Sequence, residues 1–408
     1  MHFESIALLT AALFGYGLIS KPAEERGLTG PMFFTALGAL MFSLGVPGFS
    51  ADHDGDHPLG TPEWVHTLAE VALALILFVD ASHVSPKELW ADRVWIGRLL
   101  GVGLPITIAL GAVAGLLLCS EVTVIEAMLI AAMLAPTDAA LGLAVVTNPG
   151  VPLKIRQALI VESGLNDGIV LPLVVALGCF AATQAGFSAA ETHEGLGWLG
   201  FGAAQGLGGP ALGLAVGWIG GKAVERCASA PASMTPGFQR LAAPALAWFA
   251  FAAAEGLGAN GFLAAFTAGL AVGATTDRGR KALQGYGEAT GELLALLTFA
   301  GFGAFLVPSL FSEFQLNRLG MALFALTVMR MAPVSFALGR TADRRTRLFI
   351  GWFGPRGIAS ILFLLLIGDR LSHPQAVSQV VAWTVLLSIF AHGMTSGPLA
   401  RSYARASA

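Results

Sequence analysis

Apolar runs of bilayer-spanning length follow one another from Phe3 to Ala400, parted only by short polar or Gly/Pro-rich stretches. In hydrocarbon every backbone N–H and C=O must be satisfied within the protein, so uninterrupted runs of this kind fold as helices. Reading the breaks between them gives about thirteen spans. The first six lie near Phe3–Ser20, Gly30–Val46, His66–Val84, Val94–Leu118, Thr123–Val146 and Arg156–Ala181. A linker span is expected near Gly197–Glu225. The last six lie near Leu241–Leu257, Gly258–Thr275, Glu288–Val307, Leu316–Gly339, Leu348–Gly368 and Gln375–Ala400. The expectation is an all-α polytopic membrane protein, one transmembrane unit over residues 1–408, with lipid as its solvent and no soluble domain.

Basic residues test the count independently. Thirteen spans place Lys21, Arg26, Lys87, Arg93, Arg98, Lys154 and Arg156 on one side of the membrane. Lys222, Arg226, Arg240, Arg278, Arg280, Lys281, Arg340, Arg344, Arg345, Arg347, Arg401 and Arg405 fall on the same side. Only Arg318 and Arg370 fall on the other, while Arg330 and Arg356 lie within spans. By the positive-inside rule the N-terminus is outside and the C-terminus cytoplasmic, as in a bacterial-type inner membrane. The start, Met1-His2-Phe3-Glu4-Ser5, lacks the basic region of a cleaved signal peptide, so the first span is expected to stay. With a net charge of −3, nothing favours nucleic acid. Cys119, Cys179 and Cys227 read as small packing residues. The acidic, His-bearing stretches 51–57 and 191–194 read as solvated outside loops, although the first has residues able to ligate a metal or sense pH.

An odd linker span between two six-span halves, about residues 3–181 and 241–400, gives those halves opposite topology. Inverted repeats are a transporter signature, with a site where discontinuous helices meet near the midplane. Both halves carry a helix-breaking cluster in their fifth span. These are Ala135-Pro136-Thr137-Asp138 in span 5 and Phe353-Gly354-Pro355-Arg356-Gly357 in span 12. Proline removes a ladder hydrogen bond and glycine loosens the helix, freeing carbonyls to face an ion.

The sixth span carries the most chemistry, in Val161-Glu162-Ser163-Gly164-Leu165-Asn166-Asp167-Gly168. Two carboxylates at membrane depth mark a functional site by default. Five residues apart on a helix, Glu162 and Asp167 point about 140° away from each other. Asp80, near the end of the third span, lines an inner funnel or sits at the interface. Arg330 and Arg356 each need an anion or a carbonyl cluster. The economical assignment gives Glu162 a permanent arginine and leaves Asp167 free to exchange a proton for a cation. Ser163, Asn166 and Thr137 offer further oxygen ligands, and one aspartate beside a neutral Asn argues for one-for-one exchange. Glu255, Glu288 and Glu292 read as interfacial or helix-start charges. A channel would need a continuous pore in place of one occluding site. A hydrolase would need a nucleophile–base pair, and in the sequence His392 stands alone, so no enzyme and no resident cofactor are expected.

Pro136-Thr137-Asp138, Glu162-Ser163-Gly164-Leu165-Asn166-Asp167-Gly168, Asn260-Gly261-Phe262-Leu263-Ala264-Ala265-Phe266 and Gly354-Pro355-Arg356-Gly357-Ile358-Ala359-Ser360 resemble the signatures of one family. It is the monovalent cation/proton antiporters of the NhaP/NHE type (CPA1), concerned with pH homeostasis. The resemblance implies a homodimer, with a core domain of spans 4–6 and 11–13 moving against a dimerisation domain of the remaining spans. It implies crossed, partly unwound spans 5 and 12. Asp167 would bind cation and proton in turn, helped by Thr137, Asp138 and Ser163. Glu162 would be held by Arg330, and Asn166 would support the core. The chain departs from the pattern in having Thr137-Asp138-Ala139 where Thr-Asp-Pro is usual, Gly164 in place of a bulkier residue, and Asp80 where many relatives have Glu about one residue earlier. Na⁺ or Li⁺ is the leading cation and K⁺ the alternative.

Overall fold

The computed structural model describes residues 3–49, 59–84, 90, 92–186, 204–229, 234–275 and 277–405. The loops 51–57 and 191–194, and Lys87, lie outside them. Among the described residues the chain is helical throughout, with no strand.

Three helices open the fold: α1 (Phe3–Glu25), α2 (Gly30–Ser43) and α3 (Glu63–His83). Next come α4 (Arg93–Leu118, with a π turn at Leu99–Gly103), the ten-residue α5 (Val124–Met133) and the one-turn α6 (Leu143–Val146). The long α7 (Leu153–Gln184) carries the acidic motif. It is followed by α8 (Gly209–Ser229), α9 (Pro236–Gly256) and α10 (Gly261–Thr275). α11 starts as Asp277–Gly301 and continues through a π turn at Phe302–Leu306 to Ser312. α12 (Leu316–Thr341) is interrupted at Thr327. The last elements are α13 (Arg344–Trp352), α14 (Ile358–Ile367) and α15 (Pro374–Arg405).

Seven of these are long and apolar enough to cross a bilayer alone: α1, α3, α4, α7, α11 from Gly285, α12 and α15. α2, α5 and α10 are shorter apolar helices. The chain is thus an integral membrane protein. α1 lies at the periphery, since only 17% of its apolar window is buried.

Local chemistry sets the boundaries. α5 opens with a capping box, in which Thr123 Oγ1 accepts from Glu126 N and Glu126 Oε2 accepts from Thr123 N. The stretch between α9 and α10 is short because three side-chain or backbone devices meet there. Gly258 takes a positive φ of 73°, Glu255 Oε1 accepts from Gly261 N at 2.8 Å, and Asn260 Oδ1 caps Leu263 N at 2.9 Å. Glu255 is therefore a capping group at a helix junction.

The helices pack in two groups. α8, α9 and α11 surround α10 and α3, with α2 against α11. In the other group α4 packs on α5, α12 on α13 and α15, and α5 on α7. Small residues permit the closest approaches. A Cβ on Gly213 would sit 2.1 Å from Ala264 O, and one on Gly217 2.2 Å from Ala268 O, so the α8 and α10 backbones touch. The groups meet where α3 contacts α7 and α14, and that seam is where the acidic motif lies.

Candidate functional site

The site begins with two helix ends that fail to continue. α5 stops at Met133, ahead of Pro136, which has no N–H to extend the ladder. α13 stops at Trp352, and α14 starts only after Gly357. The two breaks lie against each other, Asp138 N donating to Pro355 O at 2.9 Å. Ser360 Oγ crosses to Met133 O at 2.7 Å.

Each break supplies the charge the other needs. Arg356 is fully buried, and its Nη1 donates to Ala135 O and, at 2.6 Å, to Pro136 O. A cation thereby sits on the carbonyl end of α5, where the helix dipole is negative. Asp138 Oδ2 accepts from Ile358 N at 3.1 Å, an anion on the positive start of α14. Gly357 is required here, because a Cβ would come within 2.0 Å of Asp138 Oδ2. Gly354 leaves room for the Arg330 side chain, whose Nε would be 2.3 Å from a Cβ there.

α7 lays its motif across this junction. Glu162 and Arg330 are both buried and form a bidentate pair, Nη1 to Oε1 at 2.5 Å and Nη2 to Oε2 at 2.8 Å. Ser163 Oγ donates to Thr137 O at 2.6 Å, and Asn166 Nδ2 donates to Thr137 Oγ1 at 2.7 Å. Asp167 is 5% exposed, and its Oδ1 and the Oδ1 of Asn166 are buried acceptors without a hydrogen-bond partner. Such orphans in a native interior call for a ligand. Asp80 and Asp138 repel the charge of Asp167 and Arg356 attracts it, so all four share one electrostatic environment. Gly164 explains the missing bulk in the motif, since a Cβ would lie 3.1 Å from the Asp80 carbonyl oxygen. At Gly168 it would enter the Phe266 ring at 2.2 Å. These gaps bring α3 and α10 onto α7 beside Asp167. A cavity lined by Thr137, Asp138, Ser163, Val146 and Phe353 lies at the junction of the two breaks.

The donor set suits a hard monovalent cation. It offers a carboxylate oxygen, an amide oxygen, two hydroxyls and the Thr137 carbonyl, all oxygen and no sulfur or imidazole. Among the described residues no group of three or more His, Cys, Asp or Glu side chains placed to hold a metal occurs.

Some partners are absent from the sequence reading. His392, alone in the sequence, has companions in the structure. Its Nδ1 lies 3.1 Å from Ser388 Oγ and its Nε2 2.9 Å from Trp352 O. Ser388 Oγ in turn accepts from Arg356 N at 2.7 Å, so this buried serine–histidine pair ties α15 to the second break. Spacing of four residues on one helix was the available signal. Arg318, expected in a loop, is 7% exposed and pairs with Glu121 (Nη2 to Oε1, 3.0 Å) and with Gln379 at 2.8 Å.

A buried carboxylate with an unsatisfied oxygen beside two interrupted helices, in an all-helical integral membrane fold, fits the class of monovalent cation/proton antiporters. The family follows from comparison. The model of the family described as "Sodium/hydrogen exchanger, transmembrane" matches residues 8–402, and the chain belongs to that family. Among similar proteins, a K(+)/H(+) antiporter NhaP2 of Shewanella sp. (strain ANA-3) is 25% identical over 405 residues, covering 98% of this chain and 67% of its own. The chain thus spans about two thirds of that relative's length. A Na(+)/H(+) antiporter NhaP of Pseudomonas aeruginosa is 26% identical over 395 residues, covering 89% of this chain and 88% of its own. The solved structure of the sodium proton antiporter MjNhaP1 from Methanocaldococcus jannaschii at pH 8 shares the fold. It superposes with a TM-score of 0.74 at 20% identity, over 98% of both chains.

Proposed function

We propose that the chain exchanges one Na⁺ or Li⁺ for one proton across the membrane, with Asp167 binding the two in turn. The single observation that carries this reading is the orphaned Asp167 Oδ1 beside the orphaned Asn166 Oδ1, at the junction of the two breaks. One carboxylate beside a neutral amide has one charge to neutralise, so cation and proton compete for the same oxygen. Ser163 and Thr137 complete the oxygen shell. Asp138 adds charge nearby while its Oδ2 holds the start of α14. The Glu162–Arg330 pair fixes α7 to α12 and stays out of the exchange. The chemistry calls for no resident cofactor.

The proposed frame is thirteen crossings, counting α5 with α6 and α13 with α14 as spans 5 and 12, in two inverted repeats crossing at the midplane. The N-terminus would be outside and the C-terminus cytoplasmic, in an inner membrane. In this frame the group built on α4–α7 and α12–α15 is the core that carries the neutralised site across. The remaining helices are the homodimer scaffold.

A second reading, K⁺/H⁺ exchange, is favoured by the NhaP2 relatives, whose names specify K⁺. The deciding experiment loads proteoliposomes with a pH-sensitive dye and titrates Na⁺, Li⁺ and K⁺. Asp167→Asn should abolish cation-driven alkalinisation, and a normal response from that variant would refute the assignment.

A further inference from the structure

The end of α3 carries a titratable pair outside the site described above. His83 lies one turn beyond Asp80, and its Nε2 is 2.7 Å from Glu288 Oε1 on α11. Exposure rises along this line. Asp167 is buried and Asp80 half-buried, while the side chains of His83 and Glu288 are 30% and 53% exposed. Asp80 responds to the charges of His83 and Glu288 on one side and of Asp138 on the other, and Asp167 responds to Asp80. α7 and α3 touch at this point, where Gly164 rests on the Asp80 carbonyl. The result is a graded series of ionisable groups from water to the exchanging carboxylate.

We propose that His83 and Glu288 form a proton-collecting pair that feeds Asp167 past Asp80. The inference rests on the antiport reading and deepens it, naming where the proton enters. An imidazole takes up and releases a proton near neutral pH, which no other unperturbed side chain does. The Glu288 carboxylate holds the imidazolium and raises the local proton concentration. One proton passes from bulk water to the imidazole. The imidazolium releases it through bridging water towards the acids on α3 and α7, and His83 returns to its neutral form. One proton is taken up for each one delivered, and the arriving proton neutralises Asp167 as the cation leaves.

Among the described residues, the surroundings leave this pair as the entry. α10 and α14, both packed on α3, carry no titratable side chain over Gly261–Thr275 and Ile358–Ile367. α9 offers Arg240, which with Tyr286 of α11 lines a separate cavity. Glu292, one turn along α11 from Glu288, interacts with Glu24 and Tyr16 of α1. α7 contributes Glu162, held by Arg330, and Asp167 itself.

The test uses the full-length protein in proteoliposomes with the face bearing His83 exposed to buffer. Exchange rate is measured against pH at saturating cation for wild type, His83→Gln and Glu288→Gln. The expected result in both variants is an activity profile whose alkaline limb falls off at lower pH, because each loses a member of the collecting pair. Rates at alkaline pH, where proton delivery limits, should drop several-fold, and half-saturating cation concentration should stay within twofold. Free imidazole in the buffer should restore His83→Gln. An unchanged profile in both variants, or a uniform loss at every pH without imidazole rescue, would overturn the inference. Absence of cation-driven proton movement in the wild type would instead sink the antiport reading beneath it.

Discussion

Replacing Glu162 with leucine would strand the Arg330 guanidinium in the interior. The two side chains are 3% and 5% exposed, and both Glu162 oxygens are engaged, at 2.5 and 2.8 Å. Arg330 Nε already lacks a partner, so no neighbouring acceptor stands ready to take over. Breaking such a pair from either side costs about 3–5 kcal/mol, chiefly the penalty of an uncompensated buried charge. Removing both charges together is a different perturbation. Glu162→Leu with Arg330→Met leaves apolar groups of similar volume, a replacement that is often neutral or stabilising. The double variant should therefore be at least as stable as either single one, a coupling of roughly 3 kcal/mol or more. Unfolding of the purified protein in mixed dodecylmaltoside–SDS micelles, followed by tryptophan fluorescence, reads the four corners of the cycle. Additive losses, with the double variant losing the sum of the singles, would show that the pair does not hold α7 to α12. So would full stability in Glu162→Leu.

Three further outcomes follow from individual contacts. Asn166→Ala removes the donor to Thr137 Oγ1, a bond worth about 1 kcal/mol, so the half-saturating cation concentration should rise roughly fivefold to tenfold in the dye assay. Gly357→Ala would force the Asp138 carboxylate off the start of α14, costing about 1–3 kcal/mol by overpacking and loss of the cap. Its signature is a lowered detergent melting temperature together with lost exchange, and an unaltered melt would count against the capping role. Asp343 caps α13, and the Thr346 hydroxyl holds its carboxyl below the ordinary carboxylate range, with the backbone N–H groups of Thr346 and Arg345 adding to this. Because the folded-state pKa is depressed, the stabilisation is complete above the unfolded value. It is lost only as pH falls below about 3.9 and through the folded pKa. Hydrogen-exchange protection at the start of α13, relative to the intrinsic rate, should thus be constant between pH 8 and 5 in wild type but lower throughout in Asp343→Ala.

Much of the fold was legible because hydrocarbon leaves so few alternatives. Apolar length and the paired Pro/Gly clusters placed most of the helices and both interruptions, although α11 starts at Asp277, eleven residues ahead of the expected Glu288. α5 and α13 each end where a backbone N–H is missing or a glycine precedes the next helix. The side-chain partnerships were harder. That two buried arginines need acceptors follows from physics alone, but which takes the carboxylate and which the carbonyls depends on how α7, α12 and the breaks meet. His83 and Glu288 are 205 residues apart, and nothing local in either helix announces the other. Gly164 read as a departure from a pattern, yet its bareness admits the α3 backbone. A residue defined by what it leaves out shows its purpose only when its neighbour is in place.

On the proposed reading, the charge balance explains why Asp167, and not Glu162 or Asp138, would be the exchanging carboxylate. Glu162 is neutralised by Arg330 through two hydrogen bonds. Asp138 is offset by the start of α14 and Arg356 by the carbonyl end of α5, each by about half an elementary charge at the dipole end. Those three groups are committed to the fold, and withdrawing any of them uncovers a backbone end or a buried charge. Asp167 has an acceptor oxygen that nothing in the protein satisfies, at a point where Arg356 and the two other aspartates act on it with opposite sign. In the proposed exchange, cation and proton would compete for that oxygen within these opposing fields. If Asp167 is the exchanging carboxylate, a second committed partner on it would satisfy the orphaned oxygen and abolish exchange.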